Sequence, residues 1–476
     1  MTTNSESAQR ESVKAYDPEK GNPKALLPIV IFLVLYLGLG IIFEYILGIE
    51  MGFYSIPIVV VFLVALCVAC VQNKSVSLDE KIGIMGRGMG ERIIVTMVLI
   101  FLTAGVFVGT VGRSSADSCA YFLLSVIPPQ YAIAVLFVVA CFVSIAMGTS
   151  VGTITLITPI AVSVSAASGF SMPLCIAAVM SGAMFGDNLS FISDTTIAAC
   201  QGQGCNMQDK FKENFKIALP AAIVALIVFL VISLGADIND QITGEYDLIQ
   251  VIPYVVVLIM GICGINVFVV LIVGIVLGSV IMLATGASAP MDLITNMGSG
   301  CSGMWETAMV ALIVGALGAL IREYGGFVAM LAWFKKIFRG RKAGQLGMGL
   351  LVGCMDIATA NNTVAIVMSN PIAADMAELY GVSRRKTASI LDTFSCVFQG
   401  ILPYGAQMLV AIGAAATLGY SVSAFQIMPF LFYPFFLLIS CLVFIFIVPA
   451  GKGEEQRVEA EAAERAAQRE TSGIEK

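Results

Sequence analysis

The fold of this chain is decided by two polar strings set in apolar sequence, Gly148-Thr149-Ser150-Val151-Gly152-Thr153 and Thr359-Ala360-Asn361-Asn362-Thr363. Ile, Val, Leu and Phe dominate the residues on both sides of each string. In hydrocarbon, polar groups are costly unless they line a cavity or hold an ion. Two interrupted apolar segments at matching places therefore predict broken membrane helices around a binding site.

The composition predicts a protein that crosses a membrane many times. The chain has 476 residues, of which 58% are hydrophobic and 12% are charged. Soluble domains carry about twice this charged fraction. Several stretches exceed the roughly 18 apolar residues that mark a span, namely residues 25–48, 52–71, 93–112, 217–234 and 425–448. We predict an all-α polytopic membrane protein with roughly 11–14 passages. The polar first 24 residues show no cleavable signal, which predicts a retained first span.

The two halves of the chain share landmarks at a nearly constant offset. Gly88 and Gly90 match Gly298 and Gly300, Gly105 matches Gly315, Pro159 matches Pro371, and Asn188 matches Gln399, at offsets of 210 to 212. Matched connections differ in charge, since residues 72–92 hold four Lys or Arg and residues 287–300 hold none. The next pair reverses this, with one in residues 113–130 and six in residues 322–342. By the positive-inside rule, these are two inverted-topology repeats with broken helices or re-entrant hairpins.

This topology divides the chain into six parts. They are a cytoplasmic N-terminal tail (1–24), two first spans (25–71), a first inverted repeat (72–236), an extracytoplasmic acidic loop with linking spans (237–286), a second inverted repeat (287–449) and a cytoplasmic charged tail (450–476). Both termini are expected in the cytoplasm of a cell with a bacterial-type inner membrane. Residues 131–168 fit either two crossings or a re-entrant hairpin, and both leave the topology unchanged.

The run Asp187, Asn188, Ser190, Asp194 and Thr195 is the strongest candidate for an ion site. Gly, Asp, Asn and Ser favour unwound backbone over helix. Unwound carbonyls together with carboxylate and hydroxyl oxygens suit a hard cation such as sodium. The alternative is an ordinary loop between spans, although the matching segment around Gln399 also breaks a helix pattern.

The two polar strings are predicted to face each other and to complete the ion sites. Their candidate residues are Thr149, Ser150 and Thr153 in the first half, and Asn361, Asn362 and Thr363 in the second. The alternative is tight-turn or helix-cap chemistry, because Ser, Thr and Asn are favoured in turns and at helix N-termini anyway.

Three carboxylates are proton-carrier candidates, namely Asp187, Asp356 and Asp392. Histidine is absent, so proton chemistry near neutral pH falls to carboxylates. A buried carboxylate with no nearby cation can exchange a proton, whereas a hydrogen-bonded structural role is the alternative for Asp356 and Asp392. Most Lys and Arg fall in connecting loops, which favours a small cation, with or without a small organic solute, as cargo.

Other classes of protein fit the sequence less well. No G-x-x-x-x-G-K-[ST] loop occurs, which disfavours an ATP-driven pump. An intramembrane aspartyl protease would need a catalytic pair such as Asp187 and Asp392, but the G-x-G-D motif associated with such proteases is absent before Asp187. A channel would need a continuous polar stripe, but here polarity is concentrated at the breaks. We expect no enzyme, no cofactor and no nucleic-acid partner; Cys67 and Cys70 lie in an apolar helix without further metal ligands.

The segment S-G-A-M-F-G-D-N-L-S-F-I-S-D-T-T-I-A-A (181–199) and the segment D-T-F-S-C-V-F-Q-G-I-L-P-Y-G-A-Q (392–407) resemble the NhaC-type sodium/proton antiporter family. The resemblance covers about residues 25–449. The family's typical Pro after the first Ser of the motif is replaced by Phe191 and Ile192, which resembles a branch associated with amino acids or organic acids.

The resemblance implies sodium/proton antiport by an elevator mechanism. The alternative is a sodium- or proton-coupled permease for amino acids or organic acids. It also implies a homodimer, and sodium sites at the tips of broken hairpins. The sodium ligands would be Thr149, Ser150, Asn188, Asn361, Asn362 and Thr363.

Overall fold

The computed structural model describes residues 21–49, 56–74, 76–191, 193–236, 246–263, 265–448 and 458, and contains helices and no strand within them. The first-half helices are α1 Leu27–Ile41, α2 Ile58–Gln72, α3 Leu78–Met89, α4 Arg92–Val126, α5 Ala132–Met147, α6 Ser150–Ser168, α7 Met172–Leu189, α8 Asp194–Gln203 and α9 Met207–Leu234. The others are α10 Leu248–Ile262, α11 Val267–Ala284, α12 Pro290–Gly303, α13 Trp305–Glu323, α14 Gly326–Ile337, α15 Arg341–Thr359, α16 Asn362–Tyr380, α17 Arg384–Ile401, α18 Ala406–Thr417, α19 Ala424–Ile427 and α20 Phe432–Phe446. Most of both tails and of the acidic loop lies outside the described residues.

The predicted all-α, polytopic fold class is confirmed. Within the described residues, nine helical segments are long and apolar enough to cross a membrane. One further pair, Ala424–Phe430 and Phe432–Phe446, is bent by 52°, and two shorter apolar helices are Ile58–Gln72 and Leu248–Met260. With the bent pair counted as one span, the described residues contain up to ten segments long enough to cross, and the two shorter apolar helices are additional to these.

Helices α6 and α16 begin in the same way, each directly after a sharp turn. The turn residue is left-handed in both, Gly148 at φ 66° and Ala360 at φ 47°. The next residue is extended, and its side chain accepts a hydrogen bond from the third helical N–H, Thr149 from Gly152 and Asn361 from Val364 (3.4 and 3.0 Å). This is side-chain N-capping at the two predicted break points. Thr149 and Asn361, at the tips of the two turns, therefore cap helices, which was the alternative to an ion-binding role for the two polar strings.

The two helices also share their length and their end. Each has 19 residues with a proline at the tenth, Pro159 in α6 and Pro371 in α16. Each ends at a left-handed glycine, Gly169 or Gly381. An 18-residue helix follows in both halves, α7 or α17, and ends at an extended residue before a short break. The same series of elements therefore occurs once in each half.

A second group of helices joins the two halves through glycines. Helix α3 packs on α13, and α4 packs on α12. A Cβ atom added to Gly88 would lie 2.3 Å from the Gly315 carbonyl oxygen, and one added to Gly105 would lie 2.3 Å from that of Gly300. Both crossings bring backbone against backbone, which only glycine permits. We call α3, α4, α12 and α13 the crossing group, and α5–α8 with α15–α18 the hairpin group.

Candidate functional site

A polar cavity of about 690 Å³ lies where the N-termini of α6, α8, α16 and α18 meet. Its polar wall residues include Thr149, Ser150, Asp187, Ser193, Asp194, Thr195, Asn361, Asn362, Thr363, Gln399 and Gln407. Glu91, Arg92, Gln201 and Asn266 also line it, and all but Glu91 are exposed. Both polar strings thus contribute to one space.

Asp187 is the buried carboxylate of this cavity. It lies near the end of α7 with 7% of its surface exposed. Ser150 Oγ donates to its Oδ2 at 2.7 Å, and Ser193 Oγ donates to its Oδ1 at 2.6 Å. Gln407 Nε2 in turn donates to Ser150 Oγ at 2.6 Å. Among the described residues, no Lys or Arg forms an ion pair with Asp187. A carboxylate held only by neutral donors is free to bind a cation or a proton.

The two serines beside Asp187 are placed by the helix starts that follow the two breaks. Ser150 is the first residue of α6. Ser193 caps α8 by accepting from the Thr195 N–H at 3.3 Å. A hydroxyl both donates and accepts, so each can donate to the Asp187 carboxylate or turn its oxygen towards a cation. The site is therefore built from both the tip before α6 and the break after α7.

The second tip is fixed by an amide rather than a carboxylate. Gln399 Nε2 donates to the Ala360 carbonyl oxygen at 3.0 Å, across the tip before α16. Gln399 stands in α17 where Asp187, rather than the predicted Asn188, stands in α7, since the two helices have equal length and start 212 residues apart. The two halves thus offer the cavity one acidic position and one neutral position.

The structure places nine of the predicted site residues on the cavity wall. They are Thr149, Ser150, Asp187, Asp194, Thr195, Asn361, Asn362, Thr363 and Gln399. Thr153, Asn188, Ser190, Asp356 and Asp392 are buried behind it. Thr153 Oγ1 donates to the Thr149 carbonyl oxygen at 2.9 Å, and Ser190 Oγ donates to that of Ile145 at 2.8 Å. Both hydroxyls therefore support the first tip from behind.

The position of Asn188 corrects the predicted sodium ligand set. The expected unwinding at Asp187 is also displaced, because α7 stays helical through Leu189 and the break follows it. Asn214 Nδ2 donates to both the carbonyl and the amide oxygen of Asn188, each at 2.6 Å. Asn188 therefore faces α9 rather than the cavity, and does not share a site with Ser150.

The premise that Asp392 has no nearby cation is wrong. Lys210, in α9, has 1% of its side chain exposed and forms an ion pair with Asp392. Its Nζ also donates to Thr196 Oγ1 at 2.9 Å and to the Asn188 carbonyl oxygen at 3.1 Å. This pairing fits the structural alternative for Asp392, and a proton-carrier role for it stays a prediction.

Asp356 is the remaining carboxylate of the prediction. It is fully buried in α15, and Ser395 Oγ donates to its Oδ1 at 3.1 Å. Its Oδ2 has no hydrogen-bond partner within the part of the chain that the structure describes. The same Ser395 hydroxyl lies 3.4 Å from the Asn362 carbonyl oxygen at the second tip. A proton-carrier role for Asp356 stays a prediction.

Comparison with known proteins decides the family. The model of the Na+/H+ antiporter family matches residues 4–234 and 242–452. The chain belongs to the Na+/H+ antiporter family. This is a family of membrane transporters rather than of enzymes, so the chain is a multi-pass, cation-coupled transporter.

Curated bacterial relatives agree with this assignment. The chain is 22% identical to the malate-2H(+)/Na(+)-lactate antiporter of Bacillus subtilis (strain 168), over 71% of this chain and 78% of that protein. It is 23% identical to the Na(+)/H(+) antiporter NhaC of the same strain, over 74% and 83%. It is 22% identical to NhaC of Alkalihalophilus pseudofirmus, over 84% and 91%. The predicted NhaC-type resemblance is confirmed.

Proposed function

We propose that this transporter exchanges sodium for protons, and that Asp187 binds the two ions in turn. The observation that carries the proposal is a buried carboxylate on the wall of a polar cavity, with hydroxyl partners and no ion-pair partner among the described residues. Sodium would be held by Asp187 with the Ser150 and Ser193 oxygens. A proton on Asp187 would remove that charge, so the two ions compete for one site.

The cavity opens towards the side predicted to be cytoplasmic. Glu91, Arg92 and Gln201 at its rim belong to segments 72–92 and 201–216, which are rich in Lys and Arg. By the positive-inside rule, this supports an inward-facing state in the cytoplasmic membrane, with both termini inside, as part of the proposal. A C-terminal green fluorescent protein fusion tests the topology, because fluorescence is expected only from a cytoplasmic terminus and a dark fusion contradicts it.

An elevator mechanism is part of the same proposal, with the hairpin group moving against the crossing group. The support is that each group packs within itself, the crossing group through backbone contacts at Gly88 and Gly105. A structure opened to the other side tests this. Each group is expected to superpose on its counterpart separately, whereas a rearrangement inside the hairpin group would contradict an elevator.

We also propose a homodimer, as the family resemblance implies. The mass of the purified particle tests this, and the mass of a monomer would contradict it.

Exchange of an organic acid is the second candidate, favoured by the shape of the cavity. Four helix N-termini converge on it, and such termini attract carboxylates through their free N–H groups and dipoles. The cavity volume falls within the roughly 300–1,000 Å³ of small-molecule sites. This volume is far larger than a sodium ion needs. The relative named for malate and lactate lends the same support.

One experiment separates the two candidates. Purified protein is reconstituted in liposomes that contain a pH-sensitive dye, and sodium is added outside at constant pH. If sodium alone is exchanged for protons, the lumen becomes alkaline, and choline in place of sodium gives no signal. A pH change that requires lactate or malate supports organic-acid exchange instead. No pH change under either condition contradicts both candidates.

A further inference from the structure

The buried ammonium of Lys210 has the surroundings of a bound metal cation. It meets three kinds of oxygen, the Asp392 carboxylate, the Thr196 hydroxyl and the Asn188 backbone carbonyl. Each of these side chains is at most 2% exposed. The carbonyl belongs to the last turn of α7, just before the break. Carboxylate, hydroxyl and helix-end carbonyl oxygens are the ligands that hard cations use in transporters with broken helices.

The three oxygen donors come from separate elements that converge on this point. Asn188 lies in α7, Thr196 in α8 and Asp392 in α17, 182 positions after Lys210. Asn214, one turn further along α9, donates to the same Asn188 carbonyl and accepts from Ser389 and Thr393 of α17. Asn214 thus holds the Asn188 carbonyl and ties α9 to α17 beside Asp392, so this part of the shell does not depend on Lys210 alone.

We propose that Lys210 is a tethered cation that permanently fills a second cation site, beside the Asp187 site, and so prevents sodium from entering it. Asn188 directly follows Asp187 in sequence, but Asp187 faces the cavity whereas Asn188 contacts α9. That the Asp187 site is then the one site left for exchangeable ions rests on the proposed function. The occupied shell itself does not.

The proposal predicts that a shortened Lys210 side chain makes the shell a sodium site. Lys210→Ala leaves Asp392 unpaired and opens the volume of the lysine side chain. Sodium is then expected to bind and to stabilise the fold by mass action. With 200 mM sodium in place of choline, we expect the unfolding temperature of Lys210→Ala to rise by at least about 3 °C more than that of the parent.

Two matched variants distinguish a new site from a general salt effect. Lys210→Met also removes the charge, but its side chain fills the vacated space. Lys210→Ala combined with Asp392→Asn keeps the space but lacks the carboxylate. Neither is expected to show the additional sodium-dependent rise.

All variants are compared in an Asp187→Asn parent, and the parent itself is compared with the natural chain. Loss of a sodium response in that second comparison reports on Asp187 alone, so the two proposals can fail separately. The readout is fluorescence-detected size exclusion of tagged protein from heated membranes, which tolerates unstable variants. The proposal is overturned if sodium raises the unfolding temperature of Lys210→Ala no more than that of Lys210→Met. It is also overturned if Lys210→Ala yields no folded protein while Lys210→Ala with Asp392→Asn yields folded protein only in sodium.

Discussion

Asp187→Asn is expected to abolish sodium-driven proton movement while leaving the amount of folded protein unchanged. Asparagine has nearly the shape of aspartate and offers one oxygen to the Ser150 and Ser193 hydroxyls, which can turn to accept from its amide. It carries no charge and takes up no proton in the physiological range. Both ions of the proposed exchange therefore lose their binding group.

The size of the effect follows from the loss of one charge in a buried position. At an effective dielectric constant of about 20, two unit charges about 4 Å apart attract by about 4 kcal/mol. This corresponds to roughly 1,000-fold in sodium affinity. The measurement is the alkalinisation of dye-loaded liposomes after sodium addition, corrected for the reconstituted amount of protein.

Asp209→Asn is the matched control, with the same chemical change outside the cavity. Asp209 lies in the first turn of α9 with 43% of its side chain exposed, and pairs with the exposed Lys212 at 4.0 Å. Exposed pairs of this kind contribute little. We expect this variant to transport like the natural chain. Undiminished transport by Asp187→Asn would remove Asp187 from the mechanism and leave Asp356 as the other buried carboxylate without an ion-pair partner among the described residues.

The sequence alone was sufficient to predict the class and the break points. Thr149 and Asn361 are polar residues in long apolar surroundings, so membrane physics identifies them without a structure. The structure places them at equivalent helix starts in the two halves. Cap and cavity roles, which the sequence left as alternatives, coincide, because a helix N-terminus that faces a cavity needs a cap as well.

Lys210 could not be identified in this way. It stands beside Lys212 and Lys216 at the start of α9, where a run of charge is typical of a loop at the membrane surface. Its partner Asp392 is 182 residues away, and only the packing of α9 on α17 brings them together. Asp187 and Asn188 show a related limit. Neighbours on a helix point about 100° apart, so one of them faces the cavity while the other faces α9.

Gly300→Leu is expected to prevent correct folding, because it places a side chain between α4 and α12. A Cβ atom at Gly300 would lie 2.1 Å from the Gly105 carbonyl oxygen and 3.0 Å from the Gly109 Cα. Both obstacles are backbone atoms of a long helix, which cannot rotate away. The two helices must separate, and we expect a loss of roughly 3 kcal/mol or more in the free energy of unfolding. The measurement is the fraction of tagged protein that elutes as a single folded species.

Gly298→Leu is the matched control. It makes the same substitution two residues earlier in α12, where the new side chain does not clash with α4. Gly298 is exposed, and a Cβ atom there meets nothing within 4 Å. Leucine favours helix over glycine by about 0.8 kcal/mol at either position, so helix propensity alone would stabilise both variants. Gly105→Ala approaches the same crossing from α4, with its Cβ 2.3 Å from the Gly300 carbonyl oxygen, and is expected to fail in the same direction. If Gly300→Leu elutes like Gly298→Leu, the backbone contact between α4 and α12 is wrong, and the crossing group loses the rigidity that an elevator requires of it.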